Sequence, residues 1–285
     1  LGNIGTTVTF TQPVTAIESE AFAGLVSELN AGGVDTLVVL GGNPVFTAPA
    51  GLKFADAVKR AKTVVHLGSE RDETAAVSHW HLPMASYLES WGDARSIDGL
   101  ASIQQPLILP INKGRSVLEV TAQVAGYKDR KGYDIVRNFW SNQWPAAERE
   151  SRFRKILHEG LIAGTEYPEA KVSFDSKRVA LPAAAPKSTQ VEIVFVPSWS
   201  VYDGRFTNNA WLQEAPDPMT KLVWDNAALL SQATAQKLNV SDGQILKITV
   251  GGQTLEIAAM IQPGHADDSI SIPCGYGRKE VGRVG

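Results

Sequence analysis

The sequence predicts an α/β chain in two parts: a parallel-sheet α/β region, then a mostly β region with one embedded helix. Three observations predict this. Short, fully apolar runs alternate with helical patterns over about residues 34–85, as in a parallel sheet. An Ala- and Pro-rich stretch, "ALPAAAPKSTQ" at 180–190, reads as a linker or boundary. Beyond it, alternating apolar residues flank a Gly251-Gly252 pair, the signature of a tight hairpin.

The elements follow in order. "AIESEAFAGLVSELNAGG" places Ile17, Phe22, Leu25, Val26 and Leu29 at helical spacing, and Gly32-Gly33 ends the helix. "DTLVVLGGNP" is a continuous apolar run that stops at a Gly-Gly-Asn-Pro turn, which suits a strand buried on both faces. "AGLKFADAVKRA" is the next helix, "TVVHLGS" the next buried strand, "DETAAVS" a short helix and "HWHLPM" a third strand. From Gly92 to Lys113 the texture is loop-like. Helical pattern returns from Ser116 to Ala125 and over about 131–163. After the linker, "VEIVFVPSW" reads as a strand, "NAALLSQATAQKLNV" as a helix, "SDGQILKITVGGQTLEIAAMIQPG" as a hairpin and "SISIPCGYG" as a further strand. These readings divide the chain into 1–125, 126–189 and 190–285.

Bulk properties exclude several classes. The 285 residues are 44% hydrophobic and 20% charged, ordinary for a globular protein. A net charge of −3 speaks against a nucleic-acid binder, which carries a basic face. No apolar run approaches the roughly 20 residues of a membrane helix. The single cysteine, Cys274, excludes an internal disulfide and any cysteine-only zinc or iron–sulfur site. Leu1 rather than Met at the start is what an excised piece of a longer chain would show.

Candidate sites gather at the carboxyl ends of the predicted strands, where open α/β sheets bind ligands. These ends are Gly41-Gly42-Asn43-Pro44, Gly68-Ser69-Glu70 and Pro83-Met84. Glycine permits close backbone approach there, and Asn43 could bond a ligand or cap the turn. His79 and His81 are two apart, so on a strand both rings could meet one metal ion. Two ligands are not a site, and packing or hydrogen bonding at the sheet edge is the competing reading. Glu89, Asp93 and Asp98 would serve acid–base chemistry only if buried and close together; otherwise they are solvated loop acids. "YKDRKGYDIVR" mixes charge signs and reads as a solvated helix face sooner than an anion site. "RFTNNAWLQEAPDPMTKLVWDN" reads equally as a ligand or partner loop and as a connection packed down by Trp211 and Trp224. No glycine-rich nucleotide loop and no nucleophile elbow occurs.

The motifs in this order resemble the molybdopterin oxidoreductase superfamily, the group similar to dimethyl sulfoxide reductase and formate dehydrogenase. The matching residues are Gly42-Asn43-Pro44, Asp72-Glu73-Thr74, and Leu82-Pro83 with Leu88-Glu89 and Gly92. The region from "NAALLSQATAQKLNV" to "PCGYGR" looks like that family's C-terminal double-psi β-barrel. The resemblance covers nearly the whole chain but only the C-terminal half of a full catalytic subunit. "LGNIGTTVTF", "HWHLPMASYLESWGDARSIDGLASIQQPLILP" and "GYGRKEVGRVG" look more narrowly like the B subunit of bacterial alternative complex III.

That resemblance implies a molybdopterin-like scaffold that has lost its cofactor. Iron–sulfur clusters elsewhere in the parent chain would carry electrons from quinol. It further implies integral membrane quinol-binding subunits and a multihaem cytochrome c as partners, and a peripheral place on the periplasmic side of the cytoplasmic membrane. The alternative it leaves open is the cofactor-binding half of an active molybdenum-bis-pterin guanine dinucleotide enzyme. In that case Gly42, Asn43 and Pro44 would receive the guanosine diphosphate arm, and Glu70 and Asp72 the ribose or guanine. Asn208 and Asn209 would lie in the loop that meets the cofactor, and Asn226 would open the barrel helix. The resemblance places the family's molybdenum ligand in the missing N-terminal half; on the scaffold reading Trp80, Trp91, His79 and His81 would fill and brace the old cleft.

Overall fold

A computed structural model describes residues 2–14, 20–175 and 191–284. Ile17 and the predicted linker lie outside the described residues. The first unit is a three-stranded parallel sheet, β1 (Thr36–Leu40), β2 (Thr63–Gly68) and β3 (Trp80–Pro83). Its register aligns Leu40, Leu67 and Leu82 in one row. Around it stand α1 (Glu20–Asn30), α2 (Pro44–Thr47), α3 (Phe54–Val58) and α4 (Glu73–Val77). Val26 and Leu29 of α1 and Phe54, Ala57 and Val58 of α3 bury themselves against Leu37 and Val64. This is the apolar stripe that the helical spacing predicts, packed on one face of the sheet.

The loop-like reading of 92–113 needs correction. β4 (Gly92–Arg95) and β5 (Ala101–Gln104) pair antiparallel, and β5 pairs in turn with β6 (Leu161–Ile162). "GDAR" has no apolar alternation to announce a strand. Tertiary packing makes it one, as strand propensity often yields to context. Asp93 accepts a 2.8 Å bond from Trp140 Nε1 there. The helices are α5 (Val117–Val124), α6 (Gly132–Ser141) and α7 (Arg149–Glu159). Ser116 and Glu119 form a reciprocal capping box that starts α5. Ala101, Ile103, Val136, Trp140, Ile156 and Ile162 make one buried cluster, which draws on residues both before and after position 125.

The last unit is a five-stranded mixed sheet with two described helices, α8 (Ala210–Glu214) and α9 (Gln232–Leu238). Its strands are β7 (Glu192–Val196), β8 (Ala228–Leu230), β9 (Ile245–Val250), β10 (Gln253–Ile261) and β11 (Ser269–Pro273), in the order β7-β11-β8-β10-β9. The predicted hairpin is present, with Gly251 and Gly252 at φ +55° and +79°, as a turn with two positive φ angles requires. The predicted helix over "NAALLSQATAQKLNV" is shorter than expected. Ala228–Leu230 is a strand paired with both β10 and β11. Helix α9 (Gln232–Leu238) begins only after Ser231, whose hydroxyl accepts from Thr234 N. A three-residue apolar run is ambiguous by periodicity, and the Ser cap is the better boundary signal. Among the described residues, β7 and β9 remain edges, so the sheet is curled but open.

Candidate functional site

The carboxyl ends of β1, β2 and β3 face the segments that follow β7 and β11 across a cleft of about 250 Å³. Gly42, Asn43, Glu70 and Asp72 line one side; Asp203, Gly204, Arg205 and Arg278 line the other. Gly41 and Gly42 both adopt positive φ, +76° and +71°, which turns the chain sharply from β1 into α2. Pro44 follows at the first turn of α2, where its missing N–H costs nothing.

Asn43 is turned inward. Its Oδ1 accepts from Thr74 N at 3.1 Å and Thr74 Oγ1 at 2.8 Å, and its Nδ2 donates to Glu73 Oε2 at 2.7 Å. Thr74 Oγ1 also accepts from Val45 N. One amide thus binds the β1 turn to the start of α4. Asp72 caps that helix, accepting from Ala75 N at 2.9 Å.

Glu73 carries the largest electrostatic effect of the cleft. Arg278 Nη2 donates to its Oε2 at 2.9 Å, and the backbone N–H groups of Lys279 and Glu280 donate to Oε1. The pair is buried, with side chains 4% exposed for Arg278 and 12% for Glu73. Burial by itself raises the Glu73 carboxyl. The bonds from Arg278, Lys279 and Asn43 outweigh it and hold the pKa at about 2. Arg278 also donates to the Gly204 and Glu280 carbonyls and lies over the Phe46 ring. Arg205 is likewise committed: it forks onto both carboxylate oxygens of Asp203.

Glu70 and Asn208 meet as a second bridge across the cleft. Asn208 Nδ2 donates to Glu70 Oε1 at 3.0 Å, and its Oδ1 accepts from Arg283 N and Val284 N. Asn209 instead caps α8, accepting from Leu212 N. Asn226 does not open a helix. It precedes strand β8, and its Nδ2 donates to the Pro273 carbonyl. The loop that holds these asparagines is not packed down by Trp211, which is exposed; buried Gln213 anchors it, donating to Thr207 O and accepting from Trp224 N through its backbone carbonyl.

The histidines separate. His79 Nδ1 accepts from Val64 N at 2.9 Å, which ties it to β2. His81 instead meets His66, which is wholly buried, at 3.2 Å between Nδ1 atoms. His66 Nε2 lies 3.2 Å from Gly42 O, which can only accept, and His66 Nδ1 lies 3.7 Å from Asp72 Oδ1. Burial lowers the His81 pKa, and the neighbouring His66 lowers it further. Among the described residues no group of three or more His, Cys, Asp or Glu side chains is arranged to hold a metal ion.

The predicted loop acids do not converge. Glu89 accepts from Ile111 N and Ser86 N, which hold its pKa down. Asp98 is lowered by the Ser96 hydroxyl and Leu100 N. Asp93 serves Trp140. Arg137 of the basic segment pairs with Glu150 on the helix surface. Burial raises the Cys274 thiol, and Asp203 adds to this, so it is held protonated. The functional residues missed from sequence are Glu73 and Thr74 as clamps, His66, Arg205 and Arg278. "DET" contains a cap signal for α4, but nothing local announces Arg278.

Among the described residues no helix is long and apolar enough to cross a membrane. No protein-family model matches the chain. By sequence, 160 residues are 24% identical to a tetrathionate reductase subunit of Archaeoglobus fulgidus, covering 54% of this chain and 13% of that protein. By structure, the chain is similar to acetylene hydratase of Pelobacter acetylenicus at TM-score 0.64 and 15% identity, over 92% of this chain and 41% of that one. The chain therefore spans less than half of either protein. Both are molybdopterin oxidoreductase family members, and the chain has weak homology to the first and the fold of the second.

Proposed function

We propose that these residues form a cofactor-free scaffold within a molybdopterin oxidoreductase-like subunit. The clamped cleft is the observation that carries this reading. Its volume of about 250 Å³ lies below the roughly 300–1,000 Å³ of drug-sized ligand pockets. A bis-pterin dinucleotide is larger still. A pyrophosphate needs free cations or backbone N–H groups, yet Arg278 and Arg205 are both bound to carboxylates. Glu70, Asp72 and Asp203 add negative charge to the same walls. Of the residues that would read a cofactor, Glu70 and Asn208 instead bridge the two units, and Asn43 ties the β1 turn to the start of α4.

On this reading the C-terminal sheet is an incomplete double-psi barrel, and the parent resembles the B subunit of alternative complex III. Its electrons would run through iron–sulfur clusters elsewhere in the parent, between membrane quinol-binding subunits and a multihaem cytochrome c on the periplasmic side. The second reading, a live molybdenum-bis-pterin site, is favoured by one feature: the positive-φ glycines at the carboxyl end of β1 leave backbone open to a ligand. Metal analysis of the full-length parent from its native host decides between them. Iron without stoichiometric molybdenum or pterin is the expected result. One molybdenum and two pterins per polypeptide would overturn it.

A further inference from the structure

The parallel sheet carries its helices on one face only. Leu37 and Val64 point into the cluster formed by α1 and α3, and Val77 of α4 packs on the same cluster. By the period of two along each strand, the next residues point the other way. The register sets Val38, Val65 and Trp80 in one row of that opposite face and Leu40, Leu67 and Leu82 in the next. These are six apolar side chains in two adjacent rows. Trp80 is 64% exposed and Val38, Leu40 and Leu82 are also exposed, whereas in the central strand Val65 is half-buried and Leu67 fully buried. Parallel sheets are found with both faces covered, because their strands are apolar on both sides. No described helix covers this one.

We infer that this face is the docking surface for a layer of amphipathic helices belonging to the remainder of the parent subunit. The inference rests on the proposal that the chain is part of a larger molybdopterin oxidoreductase-like subunit. Two observations select this occupant over a second copy of the chain. The face belongs to a sheet whose architecture calls for helices, and more than half of the matched acetylene hydratase chain has no counterpart here. The layer presents Leu-, Ile- or Phe-type side chains to the two rows and seats Trp80 between helices.

Thiol labelling of the full-length parent tests this. Cys274→Ser removes the native thiol, and single Trp80→Cys, Leu82→Cys and Ile97→Cys variants report on position. Ile97 is 90% exposed at the β4–β5 turn and serves as the reference. In the parent, thiols at 80 and 82 should react with a maleimide at least about tenfold more slowly than the thiol at 97, since a covered thiol reacts only through local opening. In the 285-residue chain alone, the thiol at 80 should react at a rate near the reference. Equal rates in the parent would overturn the inference. So would protection in the 285-residue chain that grows with concentration alongside a dimeric mass, which would make a second copy the occupant. A native protein with no polypeptide beyond these residues would overturn it as well. The molybdenum content of the same preparation is read independently, so failure of the scaffold reading and failure of the docking face are told apart.

Discussion

Arg278, which lines the cleft, and Glu73 are 205 residues apart in sequence and meet at 2.9 Å. The contact joins the last segment of the chain to the first turn of α4. It also removes from ligand duty the one guanidinium best placed to meet an anion. Its partners are nearly all internal, so its loss cannot be made good by water. Arg278→Ala leaves a buried carboxylate without its cation and should destabilise the protein by about 3–5 kcal/mol. Arg278→Lys should recover only part of this, because an ammonium cannot reproduce the fork onto Glu73 together with the Gly204 and Glu280 carbonyls. Urea unfolding midpoints of the two variants check both statements. A cost below that of an ordinary surface ion pair in both would show the contact to be incidental.

The same pair predicts an acid limb of stability. Glu73 titrates at about 2 when folded against an ordinary 4.5. Between these values the unfolded chain binds the proton and the folded chain does not. Stability from this group is therefore complete above about pH 4.5 and is lost as pH falls toward 2. The shift corresponds to at most about 3 kcal/mol. Other depressed carboxylates contribute to the acid limb, so the test is a difference. The gap in unfolding free energy between wild type and Glu73→Gln should narrow as pH falls from 5 to 3. A gap that stays constant would show that Glu73 is not held ionised by its surroundings.

Asn43 tests whether the turn after β1 is a clamp or a ligand site. Asn43→Ala strands the Thr74 backbone N–H and should cost about 1–3 kcal/mol. Asn43→Asp should cost more, although it keeps the acceptor for Thr74. It places a second carboxylate where Nδ2 now lies 2.7 Å from Glu73 Oε2, and like charges at that range cannot both stay ionised. Thermal melts at pH 7 rank the two. The reverse order would mean that the amide faces solvent and is free to meet a ligand.

Local patterns carry the helix–strand alternation, the hairpin at Gly251-Gly252 and the location of the cleft at the strand ends. Each depends on periodicity or turn chemistry within some ten residues. β4 and the Ala228–Leu230 strand are not legible, because short runs become strands only through partners far along the chain. Among site residues, Gly42, Asn43, Glu70 and Asp72 do line the cleft. Their roles are hidden for the same reason. Whether Asn43 reads a ligand or braces a helix depends on Glu73 and Thr74 thirty residues away, and whether Glu73 is a free acid depends on Arg278. The histidine pair that stands out in the sequence, His79 and His81, is less informative than His66 and His81, which adjacent strands bring together.

The joint between the units also depends on close backbone approach at Gly275, the residue that turns β11 toward Arg278. It sits at φ +100°, and a Cβ there would lie 2.7 Å from Gly204 N, 2.8 Å from Val201 Cγ2 and 3.0 Å from Tyr202 O. Two of these three neighbours are backbone, so they cannot step aside as a flexible side-chain end would. The left-handed φ adds strain to any side chain, whatever the space. Gly275→Ala should therefore displace the 203–205 loop, lengthen the Arg278 bond to Gly204 O and loosen the Glu73 contact, at a cost of about 2–4 kcal/mol in line with overpacking plus backbone strain. Combined with Arg278→Ala it should be strongly sub-additive, because both changes break one joint. A full double-mutant cycle in urea measures the coupling. Simple additivity would mean that the glycine and the ion pair support different parts of the fold.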